Sequence, residues 1–207
     1  MPHRYQGGAG DGRESAQRSP DSGSGVSTPS QSAEPLYLLD ANVLITAHRD
    51  YYSVKRVPEF WTWLAHHAGA GRVKIPAEIL DEVKGGRRRK GMDDLLDWLK
   101  DDTVKDVLIL DEQPDPVLVR RVVEEGYGPD LNEHEIERLG RDPFLIAYAL
   151  ANPAGRRIVT TEVSAPKKKR ANRKIPDVAK RFGIQSHDVY QLTRRLDFRT
   201  DWQAGRG

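Results

Sequence analysis

Short apolar runs alternate along the chain with longer segments in which apolar residues recur at helical spacing. Four apolar runs have the length and composition of buried strands, and they lie at 36–40, 72–76, 107–110 and 156–162. Strands that alternate with helices are joined by crossover connections and lie parallel to one another. The pattern therefore predicts an α/β fold of three layers, with a central, mostly parallel β-sheet flanked by helices.

The segments between these runs predict helices, and glycine or proline marks several of their ends. One of them, FLIAYALAN, is apolar nearly all round, which places it at the centre of the fold. The predicted helices cover 41–52, 57–71, 77–83, 92–100, 116–126, 132–139, 142–152, 175–183 and 188–196.

Residues 1–34 differ in composition from the rest of the chain. They are rich in Gly, Ser, Pro and Gln, and too poor in branched apolar residues to offset the entropy of ordering, so a disordered tail is expected. One domain is expected at 35–200, followed by a flexible C-terminus at 201–207. The tail lacks the apolar core of a signal peptide, and no later run approaches the ~18 apolar residues of a membrane span. The sequence thus predicts a soluble, cytoplasmic protein with no membrane partner.

The chain contains no cysteine, which excludes disulfides, zinc–cysteine sites and thiol catalysis. Its formal net charge is only +2, but basic side chains are concentrated in two runs, at 87–90 and 167–174. Such runs are either solvated loops or surfaces that contact nucleic acid, and the composition alone does not decide between these interpretations.

Four carboxylates are expected at one rim of the sheet. Asp40 and Glu162 directly follow apolar runs, and ligands of open parallel sheets bind beyond the carboxyl ends of the strands. Asp142 begins a buried helix, and Glu82 lies about one and a half turns into the helix after the second run. Mutual repulsion of these groups favours a neutralising cation, and an all-oxygen ligand set favours Mg²⁺ or Mn²⁺.

Three of these acids also have ordinary structural explanations. Asp142, which precedes Pro143, is a favourable helix N-cap, and that role is compatible with metal binding. Glu162 could simply begin a charged loop. Glu82 could be an exposed helix carboxylate.

The choice of Glu82 is not fixed by the residues themselves. It competes with Glu78 and Asp81, which lie on the same predicted helix. Asp40 is the least ordinary of the acids, because a carboxylate that ends a buried run needs a partner.

The order of four segments carries a resemblance to a known family. LLDANVLI, IPAEILDEVKGG, RDPFLIAYALA and IVTTE resemble, in this order, the signature segments of PIN-domain metal-dependent ribonucleases. The resemblance extends from Leu36 to Leu196. KIPDVAKRFGI and EFWTWL further resemble a PIN-like subfamily found beside toxin–antitoxin genes.

The resemblance implies a four-acid catalytic centre with two supporting polar residues. Three of its acids would bind Mg²⁺ or Mn²⁺ directly: Asp40, Asp142 and Glu162. Glu162 occupies a position that is more often Asp in the family, so its longer side chain would shift the metal outward or act through water. The corresponding acids and supporting residues in this sequence are Asp40, Glu82, Asp142, Glu162, Asn42 and Thr160.

The activity implied is that of a Mg²⁺- or Mn²⁺-dependent endoribonuclease, the toxin of a toxin–antitoxin system. Such toxins are restrained by an antitoxin protein and are often homodimers. The basic run after Glu162 would then neutralise RNA phosphates. Its candidate RNA-binding residues are Lys167, Lys168, Lys169, Arg170 and Arg173.

Two other functions are compatible with the sequence. A catalytically inactive PIN-like protein would bind RNA or act as a scaffold without cutting. An aspartate-nucleophile phosphatase would place its nucleophile at Asp40, but that chemistry usually has a second acid two residues later, where this chain has Asn42. DNA is an open alternative to RNA, because none of these residues reads a 2′-hydroxyl.

Overall fold

The computed structural model describes residues 34–85 and 91–204 of the chain. The predicted disordered tail up to residue 33, the basic run at 87–90 and the last three residues lie outside the described ranges. None of the helices in these ranges has the length and apolar character that a membrane crossing requires.

A four-stranded parallel sheet forms the middle layer of the fold. Its strands are β1 (Leu36–Leu39), β2 (Val73–Lys74), β3 (Arg156–Val159) and β4 (Gln185–His187), in the order β2-β1-β3-β4. The register pairs Leu39 with Val159 and Val159 with His187, so β1, β3 and β4 end level with one another. The observed sheet and its flanking helices confirm the predicted three-layer α/β architecture.

Ten α-helices accompany the sheet within the described ranges. They are α1 (Ala41–Thr46), α2 (Pro58–Gly69), α3 (Ala77–Gly85), α4 (Asp93–Lys100), α5 (Asp102–Leu108), α6 (Pro116–Arg121), α7 (Glu133–Leu139), α8 (Asp142–Leu150), α9 (Ile175–Arg181) and α10 (Val189–Arg195). Two π-helical segments, Ala47–Tyr51 and Val122–Tyr127, continue α1 and α6, and a 3₁₀ turn spans Arg170–Asn172. Each predicted helix corresponds to one of these helices.

The strand predicted at 107–110 was wrong. Helix α5 continues to Leu108, and only Ile109 forms an isolated parallel bridge, with Ile75. A run of four apolar residues suits the buried end of a helix as well as a strand, so periodicity cannot separate the two. Strand β4 was not predicted, because its sequence QSH contains no apolar run and it joins the sheet through backbone pairing with β3.

Two helices account for much of the packing around the sheet. Helix α8 contacts β1 and β3, and its residues from Leu145 to Ala149 are buried on every side, as its continuous apolar sequence predicted. Helix α2 contacts β2 and carries three wholly buried aromatic side chains, Phe60, Trp61 and Trp63. The central strands are thereby covered, and the polar groups that follow them are confined to the rim of the sheet.

Candidate functional site

Asp40 is the buried carboxylate at the centre of the rim. It follows β1 directly, and its backbone N–H donates to the Val159 carbonyl at 2.9 Å, which extends the β1–β3 ladder past the ends of both strands. The side chain is only 3% exposed. Burial raises the pKa of Asp40 to about 6, and the carboxylates of Glu82 and Glu162 add to the rise.

Thr160 supports Asp40 from the neighbouring strand. Its buried hydroxyl donates to Asp40 Oδ2 at 2.8 Å and accepts the backbone N–H of Glu162 at 3.1 Å. This bond lowers the pKa of Asp40 and so offsets part of the effect of burial, as does the nearby backbone N–H of Asn42. Asn42 itself lies on α1 with an exposed side chain. Thr160 therefore links two of the four acids, and its supporting role stays a prediction.

Asp142 is the first residue of α8 and is partly buried. The N-cap of α8 is Arg141, and no side-chain cap bond is formed there, so the N-cap interpretation of Asp142 was wrong. Gly140 precedes this turn with φ +54°, a backbone conformation that favours glycine. Burial raises the pKa of Asp142 to about 8, with further contributions from Asp40, Glu162 and Glu82.

The structure distinguishes Glu82 from its competitor Glu78. Glu82 lies in the second half of α3 with an exposed side chain, and its charge raises the pKa of both Asp40 and Asp142. Glu78 instead accepts the Tyr148 hydroxyl at 3.3–3.4 Å and is absent from the groups that perturb those two aspartates. Of the two glutamates, Glu82 is the one coupled to the buried acids.

Glu162 has both carboxylate oxygens bonded to the start of α9. Oε1 accepts Lys174 Nζ at 2.5 Å, and Oε2 accepts the Ile175 backbone N–H at 2.8 Å. The ion pair raises the pKa of Lys174, and Lys174 in turn lowers the pKa of Asp142. Glu162 thus belongs to the charge cluster, but it also anchors the helix that follows. Whether it binds metal directly stays a prediction.

Tyr127 is a member of this cluster that sequence reasoning missed. It ends the π-helical segment Val122–Tyr127 and is 4% exposed. Burial and the negative charges of Asp142, Glu162 and Asp40 raise the pKa of its hydroxyl, so the group is a neutral donor. The sequence offers no signal for this role, because Tyr127 lies in no recognised motif and only the tertiary fold brings it within the field of these acids.

The basic loop after Glu162 divides into anchored and free side chains. Arg170 donates to both oxygens of Glu135, at 2.7 and 2.8 Å, and also contacts Asp130. Arg173 donates to the Gly126 and Asp177 carbonyls. In contrast, the side chains of three exposed lysines make no ion pair or hydrogen bond with the described residues: Lys167, Lys168 and Lys169. The lysines, rather than the two arginines, are the cations available to a partner.

The donor chemistry of the cluster fits a hard divalent cation, but its arrangement does not form a finished ligand sphere. Among the described residues, no three acidic or histidine side chains stand together as ligands of one ion. The acids that perturb one another supply only oxygen donors, which suits Mg²⁺ or Mn²⁺. The buried hydroxyl of Tyr127 has no hydrogen-bond partner among the described residues, which adds an uncommitted donor beside them. Binding of a cation would require these carboxylates to move closer together.

Comparison with protein-family models gives a match to most of the described chain. A family model described as "Domain of unknown function (DUF4411)" matches residues 37–200. The matched range contains the whole acid cluster, Tyr127 and the basic loop. A search of the curated proteins finds no significant match.

Proposed function

The chain belongs to the DUF4411 family, and we propose that it is a Mg²⁺- or Mn²⁺-dependent endoribonuclease that hydrolyses RNA phosphodiester bonds. One observation carries the proposal. Four carboxylates from four separate segments, Asp40, Glu82, Asp142 and Glu162, interact at one rim of a parallel sheet. Such a cluster opposes folding unless its charge is neutralised, and so its presence favours a functional role.

Asp40 and Asp142 are the residues proposed to hold the metal. Asp40 is buried and Asp142 is partly buried, and burial together with the charges of neighbouring carboxylates raises the pKa of each. When bound there, Mg²⁺ or Mn²⁺ supplies polarisation of a phosphoryl oxygen and a water molecule of lowered pKa. Thr160 would fix the orientation of the Asp40 carboxylate through its 2.8 Å bond. Glu82, which is exposed, would accept a proton from water at the rim.

A groove beside Glu162 offers a course for the RNA strand. A cavity of about 250 Å³ is lined by Thr160, Glu162 and His187. A wider cavity of about 680 Å³ shares His187 and is also lined by Arg173 and Lys180. The exposed Lys180 would compensate phosphate charge there, and the free lysines at 167–169 would extend the contact.

Substitution of the two aspartates tests the proposed activity. We expect Asp40→Asn and Asp142→Asn each to lower Mn²⁺-dependent cleavage of RNA by about 100-fold or more, because each removes a metal-binding charge. Chelation with EDTA should abolish cleavage by the unaltered protein. The measurement is the rate at which a labelled RNA is cut, alongside a DNA strand of the same sequence.

The helix carboxylates provide a matched control for that experiment. Glu82→Gln should lower cleavage, whereas Glu78→Gln should leave it within about twofold, because only Glu82 is coupled to the aspartates. Full activity in both aspartate variants, or equal losses in the two glutamate variants, would contradict the assignment.

A second candidate function is RNA binding without cleavage. It is favoured by the engagement of both Glu162 oxygens with Lys174 and Ile175, which leaves this acid less available to a metal. In that case RNA would bind in a salt-dependent manner and remain intact, and Mn²⁺ titration would give no heat. A Mn²⁺ site that disappears in Asp40→Ala would exclude this candidate.

We also propose that the nuclease is the toxin of a toxin–antitoxin pair, with an antitoxin protein and a second copy of the chain as partners. This part rests on the resemblance of the motifs to PIN-like toxins. Growth arrest on expression of the unaltered chain, but not of Asp40→Asn, would agree with it.

A further inference from the structure

Tyr127 carries a buried hydroxyl whose bonding capacity is unused. The residue is 4% exposed, and its hydroxyl oxygen has no hydrogen-bond partner among the described residues. Buried hydroxyl groups are nearly always bonded, because an unsatisfied one loses its water without replacement. Such a group in a native structure calls for a specific explanation, and a role at a functional site is one.

The surroundings of Tyr127 define what that neighbour would be. The π-helical segment that ends on Tyr127 packs against α8, whose first residue is Asp142. Three carboxylates act on the hydroxyl, and Asp142 has the strongest effect of the three, ahead of Glu162 and Asp40. Carboxylates that a bound cation keeps ionised are acceptors only, with about four lone-pair sites each. The hydroxyl, which stays protonated in this environment, can only donate to them.

The basic side chains near the cluster each bind a partner. Lys174 is bonded to Glu162, and the Arg173 guanidinium is bonded to the Gly126 and Asp177 carbonyls, and both groups keep further N–H donors. Thr160 donates its single proton to Asp40. In contrast, the hydroxyl of Tyr127 is a buried donor whose proton has no acceptor among the described residues.

The backbone before Tyr127 is fixed in position. A Cβ built on Gly126 would lie 2.7 Å from Val178 Cγ1 and 3.2 Å from Phe182 Cε2, so the chain here is packed directly against α9. The Gly126 carbonyl also accepts from Arg173. This close packing fixes the backbone from which the Tyr127 side chain extends.

We propose that Tyr127 is a positioning residue of the acid cluster. Its hydroxyl donates a hydrogen bond to the carboxylate of Asp142 when a divalent cation draws the acids together, and it fixes the orientation in which that carboxylate binds the ion. This inference rests on the proposed function, because a metal-dependent nuclease gives the orientation of Asp142 its purpose. The affinity for Mn²⁺ tests the inference without any cleavage assay. Outer groups of this kind orient metal ligands, and their loss typically weakens metal affinity 10–100-fold.

The test compares two single-atom deletions, Tyr127→Phe and Tyr148→Phe. Tyr148 is equally buried, but its hydroxyl is bonded to Glu78 and to the Glu112 carbonyl, away from the cluster. Mn²⁺ affinity is measured by titration calorimetry on the full chain, thermal unfolding is followed in EDTA, and kcat and KM are measured for RNA cleavage. Tyr127→Phe should bind Mn²⁺ about 10–100-fold more weakly and lose kcat to a similar degree, with KM for RNA and the unfolding midpoint in EDTA unchanged. Tyr148→Phe should show the reverse, a lowered midpoint with wild-type Mn²⁺ affinity.

Several outcomes would overturn the inference and leave the proposed function standing. One is wild-type Mn²⁺ affinity in Tyr127→Phe together with normal cleavage. Another is a midpoint lowered as much as in Tyr148→Phe, since that would identify an ordinary structural tyrosine. Conversely, weakened Mn²⁺ binding in Tyr127→Phe would support the inference even if the unaltered protein cut no RNA, while the nuclease proposal would fail. An unaltered protein that binds no Mn²⁺ would overturn both.

Discussion

At the scale of single residues, the dominant feature is the cost of keeping Asp40 and Asp142 charged. Asp40 is buried and Asp142 partly so, and each lies within the field of other carboxylates. Thr160 offsets part of that cost for Asp40, and Lys174 offsets part of it for Asp142. The remainder appears as a pKa of about 6 for Asp40 and about 8 for Asp142.

These pKa values predict how the stability of the metal-free protein depends on pH. Both lie above the ordinary value for aspartate of 3.8, so the folded state keeps protons that the unfolded chain releases. Stability is therefore lost as pH rises through the folded-state values. Between pH 6.5 and pH 8 the effect of Asp142 alone should lower the free energy of unfolding by about 2 kcal/mol. Urea unfolding in EDTA at these two pH values measures it.

Asp142→Asn is the control for the pH effect. The variant lacks the titrating group, so its stability should change little across the same interval, and it should be more stable than the unaltered protein at pH 8. An unaltered protein that becomes more stable from pH 6.5 to pH 8 would contradict the prediction.

The sequence predicted which residues lie at the ends of paired strands. It did not predict neighbours that only the tertiary fold brings together. Asp40 and Thr160 lie at the ends of paired strands, so their meeting followed from the parallel sheet. The N-cap interpretation of Asp142 failed because the helix begins one residue earlier than the Asp–Pro pair suggests. Tyr127 could not be found, since its neighbours come from three distant segments.

At the scale of elements, the junction between the π-helical segment Val122–Tyr127 and α9 holds the site together. Gly126 contacts the buried Val178 there without room for a side chain. Extra π-helical turns often coincide with functional positions, because they turn a side chain out of the regular helical register. Here the segment ends on Tyr127 at the acid cluster.

This junction should not tolerate an added methyl group. Gly126→Ala should lower the free energy of unfolding by about 1–3 kcal/mol, because the new Cβ would overlap Val178 and force α9 to shift. Gly69→Ala, at the end of α2, is the matched control: its Cβ would meet Val107 at 3.7 Å, an ordinary contact, so stability should be unchanged or slightly raised. Chemical denaturation of both variants measures the difference. Equal stability of the two would show that α9 can adapt.

The elements themselves were predicted to the extent that their side chains carry a pattern. All nine predicted helices are present, because each has apolar residues at helical spacing. The run at 107–110 was wrongly predicted as a strand, because four apolar residues are too few to show a period. Residues up to Leu108 belong to α5, which packs against α2 and β2. Strand β4 is held by backbone hydrogen bonds to β3, so its side chains carry no pattern that predicts a strand.

At the scale of the whole molecule, a bound cation should act as a stabilising ligand. At a Mn²⁺ concentration 100 times its Kd, the folded state gains about 2.7 kcal/mol, because the ion binds the assembled cluster and not the unfolded chain. For a domain of this size that corresponds to a rise in the unfolding midpoint of about 5–10 °C. Differential scanning calorimetry with Mn²⁺ and with EDTA measures the shift.

The shift should depend on the aspartates of the cluster. Asp40→Asn should remove most of the shift in the unfolding midpoint. Asp97→Asn, at an exposed position of α4, should retain the shift. A midpoint that does not move with Mn²⁺ in the unaltered protein would contradict a metal site at the rim.

The strand order of the sheet also sets when the acid cluster can assemble during protein synthesis. Asp40 and Thr160 are 120 positions apart in sequence. At ~5–20 residues per second, Thr160 is added to the growing chain roughly 6–24 s after Asp40. Until β3 is translated, β1 lacks its longest partner, and a contact this distant is slow to form even in a complete chain. The order of the strands therefore keeps the acid cluster unassembled for most of the time during which the chain is synthesised.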